Sequence, residues 1–365
     1  MPNPDESYDV IIVGAGPGGL SCAKNLAGSG LSVLVLEKSP DVGMKICSGE
    51  ISSKVFPGED PTKKFKGAKE WRRVIVGTKK GKTQIDFDHP FLWTVGRYEL
   101  ESHLMEKCEE DKNITINFSE PVVGIDSERV RTIRKAYRYR FLVGADGSFS
   151  KVREFLELPM EDIVGYAFHY VVPKPADEFR VYWLPDTFPR GYGYLMSKSR
   201  GATMIGGAMG GTDVLHSRLA PRVKNWVKEE FDIDISKHKC EGFKGNADFR
   251  GWRFKASKDS AASSHSHNIF LVGDAAGLLN PVTTEGIFYA VKSGEGVAKH
   301  IRNDPEGKRI MDRMESTHRA QVLLFSVFSN PDLPFCRLVE WVLENPSKGI
   351  RKKIFDFIFW RFFDS

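Results

Sequence analysis

The feature that most restricts the fold is a glycine-rich turn placed between a buried strand and a helix. Residues 8–13 form a short β-branched run, which is typical of a strand buried on both faces of a parallel sheet. Gly14, Gly16 and Gly19 follow at once in the GxGxxG spacing, and apolar residues then recur at helical spacing. This order predicts the first βαβ unit of a doubly wound α/β fold, with a dinucleotide bound at the turn.

Each glycine of the turn has a separate physical task. Gly14 allows the tight turn, Gly16 lets the backbone approach a pyrophosphate, and Gly19 lets the helix pack closely on the strand. Free N–H groups and the dipole at the helix N-terminus favour the anion. The predicted phosphate-binding turn comprises Gly14, Ala15, Gly16, Pro17, Gly18 and Gly19.

An acidic residue ends the second predicted strand, residues 31–36. Glu37 follows Gly14 by about 20 residues, where a carboxylate can accept hydrogen bonds from the adenosine ribose hydroxyls. It would repel a 2′-phosphate, so this site is not built for NADP. Glu37 and the adjacent Lys38 are therefore assigned to the cofactor site. This motif alone does not separate FAD from NAD.

Two further strands run into turns that contain glycine and aspartate. Residues 140–143 lead into a Gly-Ala-Asp-Gly turn at 144–147, and residues 269–272 lead into Gly273 and Asp274. Taken singly, each could be an ordinary turn that uses the backbone tolerance of glycine and aspartate. Three such transitions in this order favour one shared ligand site.

With these motifs the sequence resembles the flavoproteins related to aromatic hydroxylases, and most closely their geranylgeranyl reductase branch. The resemblance covers residues 8–299 and fades in the substrate domain and tail. It implies FAD as cofactor, with Asp274 bonded to the ribityl chain, residues 144–147 closing over it and Arg97 near its phosphates. The cofactor residues implied by the later motifs are Arg97, Asp146, Gly147, Gly273, Asp274, Gly286 and Ile287.

A helix is expected to begin near Thr284, after the proline that opens residues 281–287. Its N-terminal N–H groups would point at whatever lies in front of them. The resemblance implies that this is the N1–C2 edge of the isoalloxazine, where reduced flavin is negatively charged. The helix dipole would stabilise that charge.

The region between the second and third motifs alternates aromatic and polar residues, as strands of an antiparallel sheet do. Such a sheet can cover the flavin and bury a hydrophobic substrate. The expected strands are residues 165–172, 179–184, 191–196 and 202–205, joined by the segment 71–87. The glycine-rich stretch 206–211 does not fit GxGxxG, so no second Rossmann site is predicted. Electrons would come from transiently bound NAD(P)H or from ferredoxin.

The predicted fold is a Rossmann-like doubly wound FAD-binding domain with an inserted antiparallel β-sheet substrate domain and a helical C-terminal region. The FAD-binding domain is assigned to residues 1–70, 91–162 and 266–299. The sheet domain takes residues 71–90 and 163–265, and the helical region takes residues 300–365.

Cys47 is the candidate catalytic residue. It opens a Cys-Ser-Gly sequence at the position where the reductase branch carries a cysteine followed by two glycines, so the match departs at Ser48. Cys47 could shape the substrate channel or take part in proton delivery; an inert buried thiol fits equally well. The five cysteines show no CxxC pair or metal spacing, which favours free thiols in a reducing compartment; they are Cys22, Cys47, Cys108, Cys240 and Cys336.

The N-terminal residues, the lengths of the apolar runs and the net charge all bear on where the protein is expected to be located. No signal-peptide pattern opens the chain, and no apolar run reaches the ~18–20 residues of a membrane span. A net charge of +5 is too small to indicate nucleic-acid binding. A cytoplasmic protein is expected. The basic and aromatic segment 350–363 suits either an interfacial helix on a membrane or, as favoured here, a terminal helix packed over the substrate tunnel.

The leading functional hypothesis is reduction of carbon–carbon double bonds in a polyprenyl lipid or diphosphate, with hydride from flavin N5. It rests on the resemblance at Cys47 and residues 281–287, and on the aromatic-rich sheet. An FAD-dependent monooxygenase of a hydrophobic substrate has nearly the same motifs. A non-catalytic flavin electron carrier is the third alternative.

Overall fold

The computed structural model describes residues 6–159, 164–198, 201–210, 216–255, 268–328, 338, 341–345 and 349–355. The strands, in chain order, are β1 (Glu6–Val13), β2 (Val33–Leu36), β3 (Glu50–Ile51), β4 (Lys69–Trp71), β5 (Arg73–Thr78), β6 (Gly81–Asp86), β7 (Leu92–Thr94), β8 (Ile114–Asn117), β9 (Val122–Ile125), β10 (Arg129–Thr132), β11 (Ala136–Gly144), β12 (Val164–Val172), β13 (Phe179–Trp183), β14 (Gly191–Ser197), β15 (Thr203–Gly210), β16 (Lys239–Asn246), β17 (Arg253–Lys255) and β18 (Asn268–Leu271). The helices are α1 (Pro17–Leu26), α2 (Pro61–Lys64), α3 (Arg97–Glu109), α4 (Lys151–Phe155), α5 (His216–Phe231), α6 (Gly273–Ala276), α7 (Ile287–Ile301) and α8 (Pro305–Phe328).

The nucleotide sheet brings the three predicted strand-to-glycine transitions side by side. Its order is β17-β18-β11-β1-β2-β8, and β9 and β10 extend it from β11 as a hairpin. Strand β1 is parallel to both β2 and β11, and β11 is parallel to β18. The carboxyl ends of parallel strands meet at one sheet edge, where ligands of such folds bind. The three glycine turns therefore share that edge.

Burial on both faces explains the apolar runs of these strands. Val10, Ile11 and Ile12 of β1 are 0% exposed. On one face α1 and α7 pack together, and a Cβ at Gly294 would lie 2.2 Å from the carbonyl oxygen of Gly18. The two helices can approach so closely because neither position carries a side chain.

The substrate sheet has seven strands in the order β16-β12-β15-β14-β13-β5-β6. The expected strands from the aromatic-rich region all belong to it, and β5 and β6 join at its far edge. One pairing departs from the antiparallel prediction, because β13 runs parallel to β5. A parallel pair needs a long crossover, and the chain between β6 and β13 supplies it by passing through the nucleotide sheet. The glycine-rich stretch that begins at Gly206 lies within β15.

Smaller elements complete the described structure. Strands β3, β7 and β4 form a short third sheet, and α8 follows α7. Residues 341–344 and 349–355 are helical. Most of the basic and aromatic tail falls at 356–365, outside the described residues. Within the described ranges, the length and apolarity that a transmembrane helix requires are not met by any helix.

Candidate functional site

A cavity of about 650 Å³ lies where the carboxyl edge of the nucleotide sheet faces the substrate sheet. On the substrate-sheet side it is bounded by Ala167, Tyr192 and Tyr194, and on the nucleotide side by the three glycine turns. The predicted site residues that line it are Gly14, Ala15, Gly16, Pro17, Gly18, Glu37, Lys38, Cys47, Arg97, Asp146, Gly147, Gly273, Asp274, Gly286 and Ile287. Of the predicted set, Gly19 alone is not among the lining residues.

The first glycine turn is shaped by its contacts with strand ends. Gly14 has φ +102°, and a Cβ there would lie 2.5 Å from the carbonyl oxygen of Ala145. A Cβ at Gly19 would lie 1.9 Å from the oxygen of Gly14, which explains why Gly19 is buried in the helix–strand contact. A Cβ at Gly16 would meet nothing within 4 Å. Gly16 therefore exposes its backbone to the open cavity.

The carboxylate at the end of β2 is held against this turn by backbone groups. The N–H of Ala15 donates to Glu37 Oε2, and the N–H of Ser39 donates to Oε1, both at 2.8 Å. Each carboxylate oxygen keeps a further lone pair for a hydroxyl donor. Glu37 is thereby oriented before any ligand arrives. Lys38 beside it is exposed at the cavity rim.

Arg97 is the first residue of α3 and lines the cavity. Its side chain is 9% exposed and pairs with Glu101, which also accepts a hydrogen bond from the N–H of Gly43. Burial disfavours the charged guanidinium, but Glu101 and Cys47 outweigh that effect and raise the pKa of Arg97. Within the described part of the chain, Arg97 Nε is buried with no hydrogen-bond partner. It can still donate to an anionic ligand.

Asp274 stands where the second and third glycine turns meet. Lys45 Nζ lies 2.8 Å from its Oδ2, and the Ser148 hydroxyl donates to the same oxygen at 3.1 Å. Gly273 before it has φ +57°, and Gly277 after it has φ +79°, so glycine turns bound α6 on both sides. Residues far apart in sequence thus converge on one carboxylate.

The helix expected near Thr284 begins three residues later, at Ile287. Thr284 has φ +57°, a left-handed conformation that a right-handed helix cannot include. Asn280 closes the preceding loop by accepting from the N–H of Val282 at 2.9 Å. No side chain among the described residues caps α7 at Gly286. The α7 N-terminus faces the cavity with its backbone donors.

Comparison with known proteins identifies the family of this site. A model described as an NAD(P)-binding Rossmann-like domain matches residues 12–73, and one described as an FAD binding domain matches residues 59–320. The second match covers more than half of the chain. The chain belongs to the FAD-binding domain family. The predicted cofactor, FAD, and the predicted class, an FAD-dependent oxidoreductase of geranylgeranyl reductase-like type, are confirmed.

Relatives of this flavoprotein include enzymes named for isoprenoid lipids. A digeranylgeranylglycerophospholipid reductase of Thermoplasma volcanium is 25% identical over 86% of this chain and 85% of its own length. A geranylgeranyl bacteriochlorophyll reductase-like structure from Thermoplasma acidophilum has a TM-score of 0.69 at 18% identity, covering 89% of this chain and 88% of its own. A p-nitrophenol 4-monooxygenase of Pseudomonas putida has a TM-score of 0.67 at 16% identity, covering 96% and 97%. The two solved structures establish the fold of this flavoprotein.

The cavity of this flavoprotein fits FAD by its own geometry. The open space beside Gly16 admits a pyrophosphate, and the unsatisfied Nε of Arg97 can donate to it. The uncapped N-terminus of α7 suits the electron-rich edge of a reduced ring. A Cβ at Gly147 would also meet nothing within 4 Å, so the second turn exposes backbone to the cavity as well.

Two half-buried carboxyl groups that line the cavity, those of Glu50 and Glu285, were not assigned from the sequence. Burial raises the pKa of Glu50 to about 7, against the Ser48 hydrogen bond, and Glu285 raises it further. Burial also raises the pKa of Glu285, whose Oε1 accepts from the Ser52 hydroxyl at 2.9 Å. Glu50 lies in the segment noted for Cys47, and Glu285 lies in the segment 281–287 that begins with a proline. Glu50 and Glu285 are distant in sequence and influence each other only in the folded protein, so no sequence pattern linked them.

Cys47 is half-buried at the cavity wall, and among the described residues neither it nor Cys22, Cys108 or Cys240 forms a disulfide. The N–H of Gly49 contacts its sulfur at 3.4 Å. Glycine at 49 is required by φ +78° and by the Val95 carbonyl oxygen, which a Cβ would meet at 2.0 Å. The loop geometry thus holds Cys47 at the cavity wall, which Arg97 and Glu50 also line.

Proposed function

We propose that this flavoprotein reduces carbon–carbon double bonds in the polyprenyl chains of an isoprenoid lipid. The observation that carries the proposal is that one cavity joins the dinucleotide turns to a wall of Tyr192, Tyr194 and Ala167, with protonatable groups beside it. The names of relatives that are reductases of digeranylgeranylglycerophospholipid support this substrate class.

The chain's own residues have distinct tasks in this proposal. The backbone at Gly16 and the Arg97 guanidinium hold the pyrophosphate, Glu37 holds the adenosine ribose, and Asp274 holds the ribityl chain. Bound reduced FAD supplies a hydride, with electrons from NAD(P)H or ferredoxin. The α7 N-terminus stabilises negative charge on the ring edge.

Reduction of an isolated alkene also needs a proton at the second carbon. Cys47 and Glu50 both line the cavity, and the Glu50 pKa of about 7 allows it to hold or release a proton near neutral pH. A prenyl chain bound against the tyrosine wall would displace water, which would protect the hydride from side reactions. Cys47 shapes this end of the channel, and Cys47→Ser tests whether its thiol takes part in proton delivery.

A single anaerobic turnover tests the proposal. The purified holoprotein is reduced chemically and mixed with a digeranylgeranylglycerophospholipid, and both flavin absorbance and lipid mass are followed. We expect flavin reoxidation matched by a gain of two hydrogens per flavin. Flavin that stays reduced in the presence of the lipid would remove the support for a prenyl reductase.

A parallel sample exposed to oxygen separates the other two functions. The fold shared with p-nitrophenol 4-monooxygenase makes hydroxylation the second candidate. Oxygen incorporated into the lipid would favour it, and neither hydrogen nor oxygen transfer would favour an electron carrier. Sedimentation with anionic liposomes at low salt tests whether the tail at 350–363 binds a membrane surface.

A further inference from the structure

A row of polar side chains crosses the substrate sheet and ends at the cavity. Glu241 on β16 pairs with His169 on β12, and one strand, β15, separates His169 from Tyr194 on β14. The imidazole Nδ1 lies 3.0 Å from the Tyr194 hydroxyl oxygen, and Nε2 lies 3.4 Å from Glu241 Oε2. His169 is 0% exposed and Tyr194 is 5% exposed. We refer to these three residues as the relay row.

The strand between His169 and Tyr194 leaves room for their contact. Gly206 on β15 is in register with both of them. A Cβ at this position would lie 2.5 Å from the His169 Cα and 2.0 Å from the carbonyl oxygen of Phe168. Glycine at 206 therefore lets the two side chains meet across an intervening strand. The glycine-rich stretch that begins at Gly206 does not fit GxGxxG, and this close contact gives its first glycine a packing role instead.

The relay row connects the protein surface to the cavity. At its outer end, Lys198 Nζ lies 3.0 Å from Glu241 Oε2, and Lys239 Nζ lies 2.9 Å from Oε1. The Lys198 side chain is 32% exposed and that of Lys239 is 74% exposed. At its inner end, Tyr194 lines the cavity. Protons can enter from water at the lysines.

The charges along the row suit proton transfer. Burial disfavours the Glu241 carboxylate, but Lys239 and Lys198 outweigh that effect and lower its pKa to about 2. Burial and Lys198 lower the pKa of His169 to about 4, against the effect of Glu241. The imidazole is therefore neutral near pH 7, with one N–H and one lone pair. Exchange between its two tautomers carries one proton from the Glu241 end to the Tyr194 end.

We propose that Tyr194 donates the proton in alkene reduction and that His169 and Glu241 restore it from solvent. This inference rests on the proposed prenyl reductase function. Reduced flavin, when bound, would supply the hydride for one C–H bond as the alkene π bond breaks towards the adjacent carbon. The Tyr194 O–H bond breaks in the same step, because an isolated alkene cannot hold a carbanion. Its proton forms the second C–H bond, and its electron pair stays on the phenolate oxygen. One proton from water, taken up at the Lys198 end, passes through His169 and reforms the phenol.

Neighbouring groups are less suited to this task. Tyr192 donates its hydroxyl hydrogen to the carbonyl oxygen of Thr283 at 2.6 Å, so its proton faces a loop. Glu50 lies at the cavity, but its described hydrogen bond is to Ser48, on its own loop. Among the described residues at this wall, Tyr194 has the hydrogen-bonded connection to exposed lysines.

The test compares Tyr194→Phe with Tyr170→Phe as a matched control. Tyr170 is 4% exposed on the same strand as His169, but it packs on the opposite face of the sheet. In an anaerobic single turnover with the prenyl lipid, Tyr194→Phe should slow reduction roughly 100-fold or more. FAD binding and the unfolding midpoint should stay near those of the control.

His169→Gln distinguishes a relay from a structural contact. The first turnover uses the proton already on Tyr194, so it should be slowed less than the second and later turnovers, by a margin of roughly 10-fold. Equal slowing of all turnovers would overturn the relay, as would a Tyr194→Phe protein as fast as the control. A wild-type protein that reduces no prenyl lipid would instead overturn the proposed function, and with it the donor role of Tyr194.

Nitrogen NMR of the imidazole gives a readout that needs no turnover. The His169 signal is assigned by its loss in His169→Gln. Glu241→Gln keeps a hydrogen-bonding partner but removes the charge, and both it and Tyr194→Phe should change the tautomer ratio of His169. Tyr170→Phe should leave that ratio unchanged. A ratio insensitive to Tyr194 and Glu241 would show that the row does not couple the two ends.

Discussion

The nucleotide side of the cavity presents mainly backbone, whereas the substrate-sheet side presents side chains. On the first side, Gly16 and Gly147 leave open space where a Cβ would project. On the second, Tyr194 and His169 form a hydrogen-bonded row with buried charge behind it. Backbone groups can hold phosphates but do not titrate, while side chains can carry protons. The two sides are therefore suited to different parts of one reaction.

The buried contact between Arg153 and Asp248, which links the two sides, should be the position where a substitution destabilises the protein most. Arg153 is 0% exposed, and its Nη2 lies 2.9 Å from Asp248 Oδ2 and 2.6 Å from the carbonyl oxygen of Pro159. Arg153→Met removes the buried cation and leaves Asp248 with the 41% exposed Arg250, whose Nε lies 2.6 Å from Oδ1, so the free energy of unfolding should fall by about 3 kcal/mol, the low end for a broken buried pair. Denaturant titration of the apoprotein measures this. Arg309→Met, at a 78% exposed site, is the control, and equal losses would contradict the argument.

Acid should destabilise the protein through two buried histidines, His169 on the substrate sheet and His318 on α8. Burial lowers the pKa of His169 and of His318 to about 4, below the ordinary 6.5. Between those values the unfolded chain binds protons that the folded chain does not, so stability is full above pH 6.5 and falls as the pH drops towards 4. The loss should be at most about 3 kcal/mol per histidine.

Unfolding midpoints measured between pH 7 and pH 4.5 check this effect. His169→Gln and His318→Gln should each flatten the pH dependence relative to the wild-type protein. If neither variant changes the slope, carboxyl groups rather than these histidines carry the acid sensitivity.

A pair of glycine substitutions should separate packing from ligand binding on the backbone side. Gly19→Ala places a Cβ 1.9 Å from the Gly14 oxygen, so the apoprotein should lose about 1–3 kcal/mol of stability. Gly16→Ala meets no protein atom within 4 Å, so the apoprotein should remain as stable while FAD binds more weakly. Unfolding of the apoprotein and flavin titration measure the two effects. Unchanged FAD affinity in Gly16→Ala would mean that the cofactor does not approach this turn.

The smallest effect is expected at the exposed end of the relay row. Lys239 is 74% exposed, and its ion pair with Glu241 is open to solvent. Lys239→Met should therefore reduce stability by less than about 1 kcal/mol. The difference should shrink further in 1 M NaCl, because salt screens exposed pairs. A loss as large as that of Arg153→Met would show that the outer end is effectively buried.

The backbone side was largely predictable because its determinants are local. A buried strand, a glycine turn and a helix follow one another in the chain, and the three turns were predicted to share a ligand. The parallel pairing of β1, β11 and β18 brings them together. The helix start near Thr284 was misplaced by three residues, because a left-handed φ at one threonine is not visible in the sequence.

The side-chain wall was predictable as strands but not as a site. Strand β12 pairs with both β15 and β16, and the parallel β13–β5 contact depends on a long crossover. Nothing in the sequence pairs Glu241 with His169 or sets Gly206 beside both His169 and Tyr194. Those contacts depend on register between strands that are distant along the chain.

The sequence by itself determined the dinucleotide turns, the strands that lead into them and, through the family resemblance of these motifs, FAD as the cofactor, because glycine spacing and strand-turn-helix order are properties of short segments. Only the tertiary structure decided which carboxyl groups lie at the cavity, where α7 begins and how Tyr194 connects to the surface. The physical reason is that burial, and the hydrogen bonds that it makes necessary, arise between strands and helices that meet only after folding.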